Sequence, residues 1–252
     1  ARILRIADEM RWRPNHAAKT LRGQSPHSIG LVLTRPEEVV GEEVFFTKFL
    51  AGVQSVLSQR GYSLQLQMAT DLASETAIHA DWIADGRVDG ILVLDPRVDD
   101  PRVAALLELG LPAVIVGGDQ DGAALTSVRT DDGQFMRVVF DHLLALGHQR
   151  IGYITGDQSF AHIRRRIAAF TDYTLESGIW GITLAADFVP QQAKEATRKL
   201  MSSPKGPTAL IFDSEVMAIA GMATLSELGF AVPGMCRCCR GRIRPPARSC
   251  TR

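Results

Sequence analysis

The feature that most constrains the fold is an internal repeat of strand-like segments. Three apolar segments of the first half recur in the same order in the second half, each about 120 residues later. The matching pairs are HSIGLVL with QRIGYIT, RGYSLQL with SGIWGIT, and VDGILVL with PTALIFD. A repeat of whole strand groups predicts two similar lobes rather than one large sheet.

Helical patterns separate these segments, so strands and helices alternate through both lobes. The predicted strands are 29–34, 62–68, 88–94, 112–116, 150–155, 182–186 and 208–212. The predicted helices are 45–59, 74–85, 101–109, 132–146, 160–177, 191–202 and 215–228. This alternation is typical of an α/β fold whose parallel sheets are flanked by helices. Two such lobes face each other across a cleft, where small ligands bind at the carboxyl ends of the strands.

The formal net charge of zero conceals an uneven distribution. Residues 236–252 contain six arginines and no acid, so the other 235 residues carry 22 basic and 28 acidic side chains, a net of −6. An acidic body does not attract nucleic acid as a whole, so any DNA contact has to be local. No apolar run reaches the roughly 20 residues of a membrane helix, and the first residues lack a signal-peptide pattern. We therefore expect a cytoplasmic protein.

The residues that usually carry metal binding or catalysis form no recognisable site. All four cysteines lie in the basic tail, at Cys236, Cys238, Cys239 and Cys250. Their C-x-C-C spacing differs from the usual C-x₂-C pairing of zinc sites, which favours a disordered tail over a metal site. The histidines do not cluster at metal-ligand spacing, and we find no Ser-His-Asp arrangement, P-loop or G-x-G-x-x-G. We expect no enzymatic activity and no cofactor.

Ten short segments, in order along the chain, resemble the lactose-repressor (LacI/GalR) family of transcription regulators. They are RPNHAAKTLRG with SIGLVL, Phe46 to Gly52, RGYSL, VDGIL, GLPAVIV, Thr130 to Asp132, HLLALGHQRIGYI, RRRIAAF, PTALIFDSEVMA and LGFAVP. The resemblance implies a helix-turn-helix headpiece, a hinge helix, and a two-lobed core like the type I periplasmic sugar-binding proteins. In this family the core binds a small effector and dimerises.

The resemblance also divides the chain into parts. Residues 1–13 match the end of the headpiece, 14–27 the hinge helix and linker, 28–125 the N-terminal lobe, and 126–235 the C-terminal lobe. The family pattern stops after Pro233, and residues 236–252 form an aberrant basic tail that we expect to be disordered. Our hypothesis for this tail is translation in another reading frame, which resequencing of the gene would test.

The hinge carries the DNA contacts that the resemblance implies. In the family, a Leu from each hinge helix wedges between base pairs in the minor groove and kinks the operator. By matching, the DNA-binding residues are Asn15, Ala18, Lys19, Leu21 and Arg22, with Leu21 as the wedge. The alternative is an ordinary linker helix, and a helix of about eight residues is too short to be stable alone.

The resemblance places five side chains at the effector site. They are Phe46, Asp131, Arg164, Arg166 and Glu215. A guanidinium suits vicinal hydroxyls or a carboxylate, and by matching Arg166 is favoured over Arg164.

Each of these residues also has a purely structural interpretation. Phe46 is alternatively a core residue of its helix, and the arginines a solvated charged run. Asp131 is alternatively a helix cap, and Glu215 a favourable first-turn residue behind a cap at Asp213 or Ser214.

Together these observations predict a sugar-responsive DNA-binding regulator that acts as a repressor. Its expected partners are operator DNA, a sugar or glycoside effector, and a second copy of the chain. The alternative is a periplasmic-type sugar-binding protein with no DNA role.

Overall fold

The computed structural model describes residues 5–6, 9–10, 25–118 and 125–232, and the backbone of 237–239. These residues form two lobes, each built on its own parallel sheet. Among them, no helix is long and apolar enough to cross a membrane. The α/β class with parallel sheets and flanking helices, predicted from the sequence, is confirmed.

The first lobe contains a five-stranded sheet in the order β2-β1-β3-β4-β5. Its strands are β1 (Ser28–Leu33), β2 (Ser63–Met68), β3 (Gly90–Leu94), β4 (Ala113–Val116) and β5 (Thr126–Val128). Its helices are α1 (Glu37–Glu42), α2 (Val44–Gln59), α3 (Leu72–Ala84) and α4 (Pro101–Leu109). Strand β1 pairs with both β2 and β3, so it is an interior strand of the sheet.

Apolar layers cover both faces of this sheet. Trp82 of α3 and Leu106 of α4 pack on one face, and Phe46 of α2 packs against Leu31 on the other. A Cβ on Gly30 would lie 2.5 Å from the Trp82 ring, so this close approach of α3 to β1 requires glycine.

Local sequence sets the ends of the two helices beside the cleft. Asp71 and Ser74 form a capping box at the start of α3. Asp100 caps α4 just before Pro101, and Gly110 ends that helix in the left-handed conformation. These caps fix where α3 and α4 begin, and both helices contribute buried charges to the first lobe.

The second lobe repeats the arrangement with a four-stranded sheet in the order β7-β6-β8-β9. Its strands are β6 (Arg150–Thr155), β7 (Trp180–Ala185), β8 (Ala209–Phe212) and β9 (Arg237–Cys239). Its helices are α5 (Asp132–Ala145), α6 (Ala161–Ser177), α7 (Pro190–Met201) and α8 (Glu215–Glu227). Phe140 and Phe170 of α5 and α6 cover one face, and Leu200 and Met217 of α7 and α8 lie in the core of the other.

The structure differs from the sequence-based predictions in three places. The segment Thr126–Val128, assigned to the second lobe, pairs with β4 of the first, so the lobe boundary at 125/126 moves beyond Val128. Helix α1 was not predicted at all, because its six residues include no buried side chain. Within the tail 236–252, which the sequence predicts to be disordered, the backbone of Arg237–Cys239 forms strand β9, and Arg237 pairs with Ala209. Backbone pairing of this kind needs no apolar pattern in the added strand.

Candidate functional site

The cleft lies where the loops after the strands of one sheet meet those of the other. The backbone N–H of Ala161 donates to the carbonyl of Pro96 at 2.8 Å, and Arg97 forms an isolated bridge with Phe160. Pro96 and Arg97 follow β3, whereas Phe160 and Ala161 start α6. The carboxyl ends of the two sheets therefore face each other, as expected for a ligand cleft.

Asp213, directly after β8, is a buried acid of the cleft that accepts three hydrogen bonds. Its Oδ1 accepts from the Tyr153 hydroxyl at 2.8 Å and from Arg166 Nη1 at 3.0 Å. Its Oδ2 accepts from the Gly156 N–H at 2.9 Å. Its side chain is only 3% exposed, so these charge-assisted bonds hold a buried carboxylate in one orientation.

A second buried acid, Asp132 at the start of α5, pairs with two arginines of α6. Arg165 donates twice to one carboxylate oxygen, and Arg166 Nε donates to the other at 3.0 Å. Arg165 also donates to the carbonyl of Gly117 in the first lobe at 2.8 Å. Burial alone would lower the pKa of Arg166, but the carboxylates of Asp213 and Asp132 outweigh it and raise that pKa. Arg166 is thus a permanent cation between two carboxylates.

Two phenylalanine rings form an apolar wall beside this array. Phe160 and Phe188 are almost fully buried, with ring centroids 6.3 Å apart. Phe188 has a left-handed backbone with φ of +65°. A Cβ on Gly156 would lie 2.1 Å from the Phe188 ring, so a glycine is needed where the ring meets β6. The guanidinium carbon of Arg35 lies 4.0 Å from the Phe160 centroid and 4.4 Å from that of Phe188.

The lobes approach closely at the back of the cleft. Arg97 Nη1 donates to the Ser159 hydroxyl at 3.0 Å, which joins the first lobe to the second. A cavity of about 10 Å³ lies nearby, lined by Thr34, Asp95 and Phe160 among others. This volume suffices for about one water molecule.

Burial perturbs three further titratable groups around the cleft. It raises the pKa of the Tyr153 hydroxyl, an effect that the neighbouring Asp213 charge strengthens. It lowers the pKa of His162, with a further contribution from Arg166. It also raises the pKa of Glu43, against the opposing effects of Arg35 and Ser214. Tyr153 therefore remains a hydroxyl donor at neutral pH.

The arrangement combines fixed donors, fixed acceptors and apolar ring faces in one cleft. Such a combination can bind a small molecule that carries hydroxyl groups and an apolar face. No group of His, Cys, Asp and Glu able to hold a metal ion occurs among the residues that the structure describes.

The structure brings only one of the two candidate arginines into this array. Arg166 contacts Asp132 and Asp213, as described above. Arg164 is exposed, and its Nε donates to the Gln158 carbonyl at 3.0 Å. Their roles in ligand binding remain predictions.

The two candidate acids lie at helix starts. Asp131 caps α5 by accepting from the Gln134 N–H at 2.9 Å, while its neighbour Asp132 is the buried acid. Ser214 caps α8 by accepting from the N–H of Met217, which leaves Glu215 half-buried in the first turn. The geometry thus agrees with the capping interpretations, and ligand contact by Asp131 or Glu215 remains a prediction.

The candidate aromatic residue, Phe46, is only 2% exposed. It packs with Leu31, Leu33 and Leu94 in the core of the first lobe, while Phe45 is exposed and stacks on Phe49. The core interpretation of Phe46 therefore fits the observed packing. The predicted DNA-binding residues Asn15, Ala18, Lys19, Leu21 and Arg22 lie outside the described residues.

Several cleft residues were not found from the sequence. They are Arg35, Asp95, Asp132, Phe160, Phe188 and, in its role of acceptor, Asp213. Arg35, Asp95 and Asp213 each directly follow a predicted strand, so the rule on carboxyl ends of parallel strands could have identified these three. Phe188 carries no such signal, because it depends on a left-handed turn after β7.

Comparisons with known proteins agree with this architecture. The family described as "Periplasmic binding proteins and sugar binding domain of LacI family" matches residues 26–236. The chain is 25% identical to the HTH-type transcriptional repressor PurR of Photobacterium profundum over 238 residues, which span 92% of this chain and 69% of PurR. It is 25% identical to the probable HTH-type transcriptional repressor ExuR of Bacillus subtilis over 236 residues, with the same shares of 92% and 69%. These relatives are repressors, not enzymes.

Solved structures show the same fold. A LacI family transcriptional regulator from Bifidobacterium animalis subsp. lactis superimposes with a TM-score of 0.75 at 32% identity, over 83% of this chain and 75% of that one. The lac repressor dimer bound to operator and the anti-inducer ONPF gives a TM-score of 0.80 at 22% identity, over 92% and 69%. The chain therefore belongs to the LacI family, as the effector domain of a transcriptional regulator of that family.

Proposed function

We propose that this effector domain senses a sugar in the interlobe cleft and controls the operator binding of a repressor. The array of Arg166, Asp132 and Asp213 beside the phenylalanine wall is the observation that carries the proposal. Each sugar hydroxyl both donates and accepts, so it requires acceptors and donors at fixed positions. The carboxylates of the array supply the acceptors and its guanidinium supplies the donors, and their mutual contacts fix their positions. Aromatic rings suit the apolar face of a pyranose.

The tight closure of the cleft links binding to movement of the lobes. The contacts of Ala161 with Pro96 and of Arg97 with Ser159 hold the lobes together, and in this proposal a sugar enters the cleft as they separate. A ligand shifts a conformational equilibrium by as much as its affinity differs between the states. A sugar that contacts Arg166 of one lobe and Asp95 of the other would therefore select one lobe angle.

Operator DNA is the proposed partner at the N-terminal end. The names of PurR and ExuR describe HTH-type repressors. The RPNHAAKTLRG segment resembles the hinge of the LacI/GalR family. In this proposal Asn15, Ala18, Lys19, Leu21 and Arg22 contact the operator, with Leu21 as the minor-groove wedge. A change of lobe angle would move the hinge helices and so change the affinity for DNA.

A second copy of the chain is the other proposed partner. Large apolar side chains are exposed on α2 and on the neighbouring edge strand β2, namely Phe45, Val56, Leu66 and Met68. Several large exposed apolar side chains on neighbouring elements favour a subunit interface there. Sedimentation should show a dimer that Val56→Glu dissociates, and an unchanged sedimentation coefficient would place the interface elsewhere.

Calorimetric titration tests the effector proposal. We would titrate cellobiose, which the solved CelR–cellobiose complex contains, together with glucose, galactose, ribose and glucuronate. At least one sugar should bind, and Arg166→Lys should weaken it tenfold or more because a lysine cannot bridge two carboxylates in the same plane. Arg198→Lys changes an exposed pair with Glu227 and is the matched control. Binding of none of these sugars would overturn the sugar assignment.

A gel shift tests the DNA proposal. The product of the complete gene should bind the DNA upstream of that gene in a sequence-specific manner, and Leu21→Ala should weaken binding more on that DNA than on random DNA. Equal, salt-sensitive binding to both DNAs would instead favour the periplasmic-type sugar-binding protein.

A further inference from the structure

Arg35 crosses the cleft and lies on the aromatic wall of the opposite lobe. It follows β1 of the first lobe, whereas Phe160 and Phe188 belong to the second. Its guanidinium carbon is 4.0 Å and 4.4 Å from the two ring centroids, which is the distance of cation–π contacts. The side chain is only 9% exposed, so this contact is largely shielded from water.

The counter-ion of Arg35 is held on its own lobe. Asp95 Oδ2 accepts from Arg35 Nε at 2.7 Å. The backbone of Asp95 is left-handed with φ of +53°, and its carbonyl accepts from Arg102 Nη2 at 3.0 Å. Arg102 in turn pairs with the fully buried Glu75. The buried charges of α3 and α4 thus fix Asp95, and Asp95 directs Arg35 towards the other lobe.

Arg35 also occupies the place that a ligand would need. The guanidinium lies over Phe160 and Phe188, the apolar ring surfaces on which a sugar would stack. A planar cation and a pyranose face cannot share the same ring face. Any ligand that stacks on these rings must first move Arg35 away from them.

We propose that Arg35 is an interlobe latch that competes with the effector for the faces of Phe160 and Phe188. Only the competition with the effector rests on the proposed function, because the contact of Arg35 with the opposite lobe exists independently of any effector. It predicts that Arg35 lowers the affinity for a neutral sugar instead of contributing to it. This distinguishes the latch from an ordinary ligand-binding arginine, whose loss weakens binding.

Hydrogen exchange of the full chain, with no sugar added, tests the latch itself. The amide of Ala161 is the reporter, because it donates across the cleft to Pro96. The amide of Ile154 lies within β6 and reports on the second lobe alone. Arg35→Met keeps the length of the side chain but removes the cation, and Phe188→Leu keeps an apolar side chain but removes the ring face.

Both variants should exchange the Ala161 amide on the order of tenfold faster than the unmodified chain, with the Ile154 amide unchanged. Arg87→Met is the control, since it removes an exposed arginine of the same lobe whose pair with Asp85 lies away from the cleft. Unchanged exchange at Ala161 in both variants would overturn the latch. Equal acceleration at Ala161 and Ile154 would also overturn it, because it would indicate general destabilisation.

Calorimetry with cellobiose tests the competition. Arg35→Met should bind cellobiose about tenfold more tightly than the unmodified chain, the cation–π contact being what the ligand has to break. Equal or weaker binding by the variant would overturn the proposed competition. Arg35 would then either contact the ligand or have no role in its binding. Failure of every sugar to bind either form would contradict the proposed function, while the exchange result would still decide on the latch.

Discussion

Arg166 Nη1 lies 3.0 Å from Asp213 Oδ1, a bond that joins the first turns of α6 to the end of β8. The same guanidinium reaches Asp132 through Nε, also at 3.0 Å. One side chain therefore ties three elements of the second lobe together, directly beside the aromatic wall. Such a cation serves both the stability of the lobe and the orientation of the acids that face a ligand.

Loss of this cation should destabilise the lobe. Arg166→Met should lower the free energy of unfolding by about 2–4 kcal/mol, because two carboxylates that are 2–3% exposed lose a charged partner. Urea denaturation measures the change. Arg198→Met removes an exposed pair and should cost less than about 1 kcal/mol. Equal losses in the two variants would show that the buried ion pairs of Arg166 contribute no more stability than an exposed pair.

Gly156 should tolerate no side chain. Gly156→Ala places a Cβ 2.1 Å from the Phe188 ring, so the ring must shift, and we expect a loss of about 2–4 kcal/mol of unfolding free energy. The control is Gly52→Ala in α2, where nothing lies within 4 Å of the new Cβ. Alanine is the better helix former by up to about 1 kcal/mol, so that variant should gain stability. Equal effects in thermal denaturation would contradict the assigned packing.

The sequence predicted the fold well because buried parallel strands have a strong signal. The predicted strands 88–94 and 208–212 contain the continuous apolar runs GILVL and ALIF, and they end at the same residues as β3 (Gly90–Leu94) and β8 (Ala209–Phe212). Strand β5 has only three residues and no buried position, so periodicity had nothing to detect. That omission also displaced the predicted lobe boundary.

The site was harder to predict, because it depends on which residues meet across the cleft. Asp131 and Asp132 are adjacent acids, and only the start of α5 decides that the first caps the helix and the second is buried. The contact of Arg35 with Phe160 spans the two lobes, a distance in sequence that no local pattern reports. Spacing within one element predicts its exposed and buried faces, but not its partners in another lobe.

The buried charges of the first lobe permit a double-mutant test. Arg102 and Glu75 are 2% and 0% exposed, and Arg102 Nη1 lies 2.8 Å from Glu75 Oε1. Arg102→Met should cost about 3–5 kcal/mol, since Glu75 would be left as an unpaired buried charge. Combining it with Glu75→Leu should restore part of that loss, and urea denaturation of all four forms gives the coupling energy. Additive losses would contradict the pairing.

His79 should make the stability of the first lobe depend on pH. Burial, reinforced by the Arg102 charge, lowers its pKa from 6.5 to about 4 in the folded state. As the pH falls, His79 is therefore protonated near pH 6.5 in the unfolded chain but only near pH 4 in the folded chain. The stability associated with neutral His79 is therefore complete above that window and is lost as pH falls through it.

The loss should amount to about 2–4 kcal/mol across this window, because each pKa unit corresponds to about 1.4 kcal/mol. Glu75 also faces the ring, with an oxygen 4.0 Å from His79 Nε2. His79→Leu should flatten the stability profile between about pH 6.5 and pH 4 by the stated amount, as measured by urea denaturation at each pH. The control is His142→Leu at an exposed position, and it should show the same dependence of unfolding free energy on pH as the unmodified chain. An identical slope in His79→Leu would show that other groups cause the acid sensitivity.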